Sequence, residues 1–370
     1  MWRAKCIREI YLEKIKMQYD VILYVAYPYY FPHFLPIEVV LKKEGLSVHF
    51  VLSNEQNTDL MLQIAKKNSL DYTLGEDALK ILDAKVIFFA NVPDVNLKIK
   101  AKKVFLCHGT GTKQCGFENA LERCDIVFVE GTYRYEYYTK MFSQYKNKIK
   151  KVGYSKLDPL FDIQDIQVTK LKEKYNLDSS KKTILYAPTF FPSSIEKMDD
   201  NFPKDFKEYN ILVKPHYLSW ERKRYAKQRK KFKAWSKYDN CHIYMSKEYD
   251  LVPFLMMADI MISDESSAIF EFASLNKPVI INRFLKLRWS YYLNPKKLFN
   301  RMDKNMNRYR VLGENPTSYK EMLYVTKKAL TDNSAFEEAR LSLAKDVCGK
   351  LDGKASLRIV EVLKDLCANS

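Results

Sequence analysis

Short apolar, β-branched runs alternate with segments of helical periodicity along most of this chain. In the first half the pattern predicts strands at VILYVA, SVHFVL, KVIFFA, KVFLC, DIVFVE and KIKKVG. In the second half it predicts strands at TILYAP, NILVKP, HIYMS, DIMIS and PVIIN. Nearly continuous apolar strands separated by helices are what parallel sheets built from βαβ units require, because both sheet faces are covered. The expected fold is therefore α/β, with two Rossmann-like domains facing a cleft and joined near residues 155–180. The expected boundaries are 21–160 for the first domain and 161–370 for the second, with charged helices from 284 onward.

Open parallel sheets bind ligands beyond the carboxyl ends of their strands. The loops at those ends are YPYYFPHF, HGTGTK, TFFPSS, HYLSW and DESSAIFEFA. Three of the five histidines, His33, His108 and His216, fall in these loops. In HGTGTK, Gly109 and Gly111 allow close backbone approach and Lys113 offers a charge suited to phosphate, although the spacing is not that of a Walker loop. An imidazole at that strand end can take a proton from a hydroxyl near neutral pH, which makes His108 a candidate base. In DESSAIFEFA, Asp264 is expected to cap the next helix, and Ser266 and Ser267 to line its start as an anion site. Glu271 lies one turn further on, where it either reaches ribose hydroxyls or serves a structural role. Lys214 and His216 follow another strand, in LVKPHY.

The chain has 370 residues and 47% hydrophobic content, enough for about two folded domains. Its formal net charge of +17 favours anionic partners: nucleic acid, anionic lipid or phosphorylated substrates. No RNA-binding aromatic motif or helix-turn-helix accompanies that charge, so nucleic acid is not the expected partner. Seven cysteines, with Cys107, Cys115 and Cys124 too widely spaced for a zinc knuckle, suit a reduced cytoplasmic chain. No metal-ligand cluster and no cofactor motif is evident. The least charged stretch, residues 21–40, is broken by Pro28, Pro32, Pro36, His33 and Glu38 and reads as strand, loop and helix rather than a membrane span.

Residues 1–20 differ. Trp2, Ile7, Ile10, Tyr11 and Ile15 recur at helical spacing among Arg3, Lys5, Arg8, Lys14 and Lys16. That pattern fits a basic amphipathic helix on a membrane surface, or a surface helix packed on its own domain. The stretch ERKRYAKQRKKFKAW, residues 221–235, is densely basic; it is either a solvated helix face or a contact for lipid head groups.

Taken in order, HGTGTK (108–113), GYSKLD (153–158), YAPTF (186–190), KPHY (214–217), SDESSAIFEFA (263–273) and LDGKAS (351–356) resemble motifs of the CDP-glycerol glycerophosphotransferase family, the teichoic-acid and capsule glycerol-phosphate transferases of bacteria. The resemblance covers residues 100–360 and is nearest the teichoic acid primase type. It implies a GT-B fold and a peripheral enzyme on the cytoplasmic face of the membrane, held on anionic lipid. It also implies transfer of glycerol phosphate from CDP-glycerol to an undecaprenyl-diphosphate-linked saccharide acceptor. The family's histidine motifs fall on His108 and His216 and its serine pair on Ser266 and Ser267. Thr189 in YAPTF, with Lys214, Asp264 and Glu271, completes the expected substrate contacts. The chain departs from the family at Phe191, often arginine; at Tyr217, often proline; and at Glu265, often tyrosine. Those departures bear on which alditol phosphate is transferred, CDP-ribitol being the alternative donor. Two other readings compete: a GT-B glycosyltransferase using a nucleotide sugar, and a non-catalytic basic module binding lipid or nucleic acid.

Overall fold

The computed structural model describes residues 18–109, 117–162, 164–245, 247–264, 266–294, 296 and 309–368. The expected helix at 1–20, apart from its last residues, lies outside them, as do Gly111, Lys113 and Glu265. The described residues form two compact units, one from residues 18–109, 117–158 and 349–368, the other from 159–348.

The first unit is a seven-stranded sheet: β1 (Gln18–Val25), β2 (Val48–Leu52), β3 (Tyr72–Leu74), β4 (Asp83–Phe89), β5 (Lys102–Leu106), β6 (Ile126–Val129) and β7 (Ile149–Lys151). Its order is β3-β2-β1-β4-β5-β6-β7, and every pairing is parallel. The second unit is a six-stranded sheet: β8 (Thr183–Tyr186), β9 (Asn210–Val213), β10 (Cys241–Ile243), β11 (Ile260–Ser263), β12 (Val279–Ile281) and β13 (Gly313–Glu314). Its order is β10-β9-β8-β11-β12-β13, again all parallel. Central strands such as VHFVL and NILV are buried at every residue, which is why they read as unbroken apolar runs. Both strand orders reverse direction once, between β1 and β4 and between β8 and β11. In sheets of this kind the reversal opens a crevice at the carboxyl edge.

The end of the chain departs from the expected boundary at 161–370. The helix Ala355–Ala368 packs on β4 and on the helix Phe31–Lys43 of the first unit, burying Ile359, Val360 and Leu363. Two of the motifs make this return possible. Asp158, closing GYSKLD, accepts the amide hydrogens of Ala355 and Ser356 at 3.0 and 2.7 Å and so caps the helix that LDGKAS begins. Gly153, opening GYSKLD, has φ +96°, and a Cβ there would stand 2.8 Å from Arg358 Nη2 and 2.9 Å from the Ala355 Cβ. Only glycine lets the two segments approach this closely.

Candidate active site

In the first unit the strand-end loops converge at the reversal between β1 and β4. β5 delivers Cys107 and His108 to the carboxyl edge. The His108 ring reaches across β4, where Nδ1 donates to the Ala90 carbonyl at 2.6 Å. That bond assigns the proton of the neutral ring to Nδ1 and leaves Nε2 with a lone pair. The ring packs on Tyr30 at 4.9 Å and Tyr29 at 5.6 Å, in the loop after β1. His108 keeps an exposed face, yet crowding by its neighbours is enough for burial to hold its pKa below the ordinary 6.5, opposed by the Ala90 bond. Burial acts more strongly on His33, which lies 2% exposed against Tyr154 and is held neutral, its pKa well below the ordinary value. Gly109 is not left-handed, and a Cβ there would meet nothing within 4 Å, so open space rather than backbone strain suits glycine there.

Behind this edge lies a charged pair that the motifs did not announce. Arg134 donates to Glu130 Oε1 at 2.6 Å with both side chains buried, and its guanidinium stands 4.8 Å over the Phe117 ring.

In the second unit the equivalent reversal carries Thr189, Lys214, His216, Asp264, Ser266 and Ser267. The loop after β8 is stitched to both neighbouring strands. Lys214 N–H donates to the Tyr186 carbonyl and His216 N–H to the Pro188 carbonyl on one side, and Ala187 N–H to the Ile262 carbonyl on the other. His216 is exposed, and its ring lies 4.9 Å from Phe190. Its Nδ1 accepts the Leu218 amide hydrogen at 3.2 Å, which assigns the ring hydrogen to Nε2 and makes that atom a donor.

Asp264 behaves differently from its expected helix-capping and substrate-contacting roles. Its carboxylate is fully buried and turns to the loop after β8, accepting from Thr189 N–H at 2.7 Å, Ser194 N–H at 3.0 Å, Ser194 Oγ at 3.1 Å and Ser193 Oγ at 3.2 Å. Burial nevertheless raises its pKa to about 7, against those four donors. The start of the helix Ala268–Ala273 is instead closed by Ser266, whose Oγ accepts the Ala268 amide hydrogen at 3.3 Å. Ser266 and Ser267 are half-buried at the same edge. Glu271 is 3% exposed in a six-residue helix whose residues are all buried, the position that a structural role requires. Where the motif resemblance expects an arginine, Phe191 carries the guanidinium of Arg288 over its ring at 4.0 Å. Among the described residues no cluster of three or more His, Cys, Asp or Glu side chains is placed to hold a metal ion.

Residues 12–365 match the family model of CDP-glycerol:poly(glycerophosphate) glycerophosphotransferase. A teichoic acid glycerol-phosphate primase of Bacillus spizizenii is 36% identical over 116 residues, 30% of this chain and 27% of that protein. A teichoic acid glycerol-phosphate primase of Bacillus subtilis is 28% identical over 235 residues, 56% of this chain and 58% of that protein. The match thus spans less than two thirds of the length of either relative. Among solved structures, the wall teichoic acid polymerase TagF aligns with a TM-score of 0.69 at 20% identity, over 95% of this chain and 89% of that one. That likeness and the two parallel sheets make the fold GT-B.

Proposed function

This chain belongs to the CDP-glycerol:poly(glycerophosphate) glycerophosphotransferase family, and from that premise we propose that it transfers glycerol phosphate from CDP-glycerol to a hydroxyl of an undecaprenyl-diphosphate-linked saccharide, releasing CMP. The observation that carries this reading is the His108 ring, whose Nδ1 is spent on the Ala90 carbonyl and whose Nε2 is left as an acceptor at the reversal of the first sheet. Nε2 takes the proton of the acceptor hydroxyl as its oxygen attacks the glycerol-bearing phosphorus. The bond from that phosphorus to the bridging oxygen breaks, and the electron pair leaves with CMP. A lowered imidazole pKa supports this role, because the ring is then neutral and basic at cytoplasmic pH.

The second unit supplies the donor contacts in this reading. His216 Nε2–H, the hydroxyls of Ser266 and Ser267 and the Lys214 ammonium donate to the diphosphate and to the charge that develops on it. Asp264 holds the Thr189 loop rather than touching substrate. Gly111 and Lys113, expected beside the reacting phosphate, lie outside the described residues.

The enzyme works at the cytoplasmic face of the bacterial membrane. Arg222, Lys223, Arg224, Lys227, Lys230 and Lys233 are exposed, while Phe232 and Trp235 of the same segment are buried in the second core. This arrangement suits anionic head groups. Among the described residues no helix is long and apolar enough to cross a membrane.

The test is CMP release from CDP-glycerol, CDP-ribitol and a panel of nucleotide sugars, with a short-chain lipid-linked disaccharide acceptor. Release from CDP-glycerol that requires acceptor and is abolished by His108→Ala is the expected result. Release from a nucleotide sugar alone, or undiminished turnover by His108→Ala, overturns the reading. Salt-sensitive sedimentation with anionic liposomes is expected, and binding indifferent to salt counts against the membrane assignment.

A further inference from the structure

The loop that follows β1 holds three tyrosines whose arrangement exceeds what core packing requires. The Tyr27 and Tyr29 rings lie nearly parallel, 5.3 Å apart and inclined by 11°. Tyr30 meets both edge-on, at 5.7 and 4.9 Å, and is itself 1% exposed. Tyr30 is thus a buried post that sets the angle of its neighbours and also packs on His108. Core packing accounts for Tyr30. It does not account for Tyr27 and Tyr29, which are half-buried in a loop at the carboxyl edge of the sheet. That loop stands at the β1/β4 reversal, where an open parallel sheet takes its ligand, and Tyr29 lies 5.6 Å from the His108 ring.

We propose that the stacked Tyr27–Tyr29 pair forms an acceptor subsite, its outer ring face a platform for the terminal pyranose ring of the saccharide, which holds one ring hydroxyl toward His108 Nε2. This rests on the reading of His108 as the general base. A pyranose has an apolar C–H face with hydroxyls at its rim, and tyrosine matches it with a flat apolar ring and a polar tip. A glycerol-phosphate chain end is the other acceptor chemistry to weigh, and it carries negative charge that asks for cations. The tyrosine rings themselves supply none. The platform itself therefore fits an uncharged sugar terminus, and a saccharide acceptor is expected to be preferred to one that ends in glycerol phosphate.

The experiment compares two soluble acceptors, a short-chain lipid-linked disaccharide and the same molecule already bearing one glycerol phosphate, with wild type and Tyr27→Ala, Tyr29→Ala, Tyr27→Phe and Tyr29→Phe. Each alanine variant is expected to raise the KM for the disaccharide acceptor about tenfold, the scale of a lost ring contact, with the donor KM moving less than twofold. Each phenylalanine variant restores the acceptor KM, which also guards against misfolding as the cause. Saturation-transfer NMR with the free disaccharide, without donor, reads the subsite independently of turnover, and the transfer seen for wild type is lost in the alanine variants. Transfer without turnover from CDP-glycerol leaves the subsite standing and removes the reaction reading. Turnover with an unchanged acceptor KM in both alanine variants, or preference for the glycerol-phosphate-ended acceptor, overturns the subsite.

Discussion

The carboxylate of Asp264 accepts the amide hydrogen of Thr189 at 2.7 Å, joining two loops that lie 75 residues apart in the chain. With Ser193 and Ser194 on its other oxygen, this one side chain ties the end of β11 to the loop after β8, and so sets the backbone from which Thr189 and Phe190 project.

Replacing Asp264 by Asn puts an amide donor against donors that need an acceptor, and a loss of about 1–3 kcal/mol of stability is expected. The pH dependence carries a sign. The folded-state pKa, about 7, lies above the ordinary 3.8. This group's contribution is therefore complete below about 4 and is lost as pH rises through about 7. Urea midpoints from pH 4 to 8 should show wild type losing ground to Asp264→Asn as pH climbs; parallel curves would sink the assignment.

His108 has its pKa held below 6.5 by burial. As the general base it is active when deprotonated, so the acid limb of the kcat/KM profile is expected to have its midpoint below 6.5. A midpoint above that value, measured under saturating donor, would mean that another group controls the limb.

Arg134 and Glu130 form a buried pair, and removing one partner strands the other. Arg134→Met is expected to cost about 3–5 kcal/mol, while Glu130→Leu combined with Arg134→Met recovers most of the loss. Denaturant unfolding of the two single variants and the double variant gives the coupling directly. Additive losses would show that the pair is not a unit.

Gly153 and Asp158 together hold the last helix on the first unit. Gly153→Ala forces a side chain into a left-handed position and against Arg358 and Ala355, with an expected cost of more than ~1 kcal/mol. Asp158→Ala removes the cap of the helix Ala355–Ala368, at about 1 kcal/mol. Both variants should expose residues 349–368 to limited proteolysis ahead of the remainder of the chain. Proteolysis that begins elsewhere would separate the two motifs from this role.

Eleven strands were legible as apolar runs because a strand covered on both faces needs little but apolar residues, and that is a local property. The two that were not, β3 and β13, are edge strands whose residues, YTL and GE, form no apolar run. The strand-end motifs were legible for the same reason, since a ligand loop in a parallel sheet must follow a strand directly. By itself, the order of those motifs identified the family and put His108, His216, Ser266 and Ser267 at strand ends. The partners of those loops were decided only in three dimensions. Asp264 turned from its own helix to a loop 75 residues away, and Asp158 reached a helix 197 residues further on. The tyrosines after β1 met His108 because β4, inserted between β1 and β5, brings their ends together. Strand order and hydrogen bonds across such separations depend on which surfaces pack, and no local pattern of residues encodes that choice.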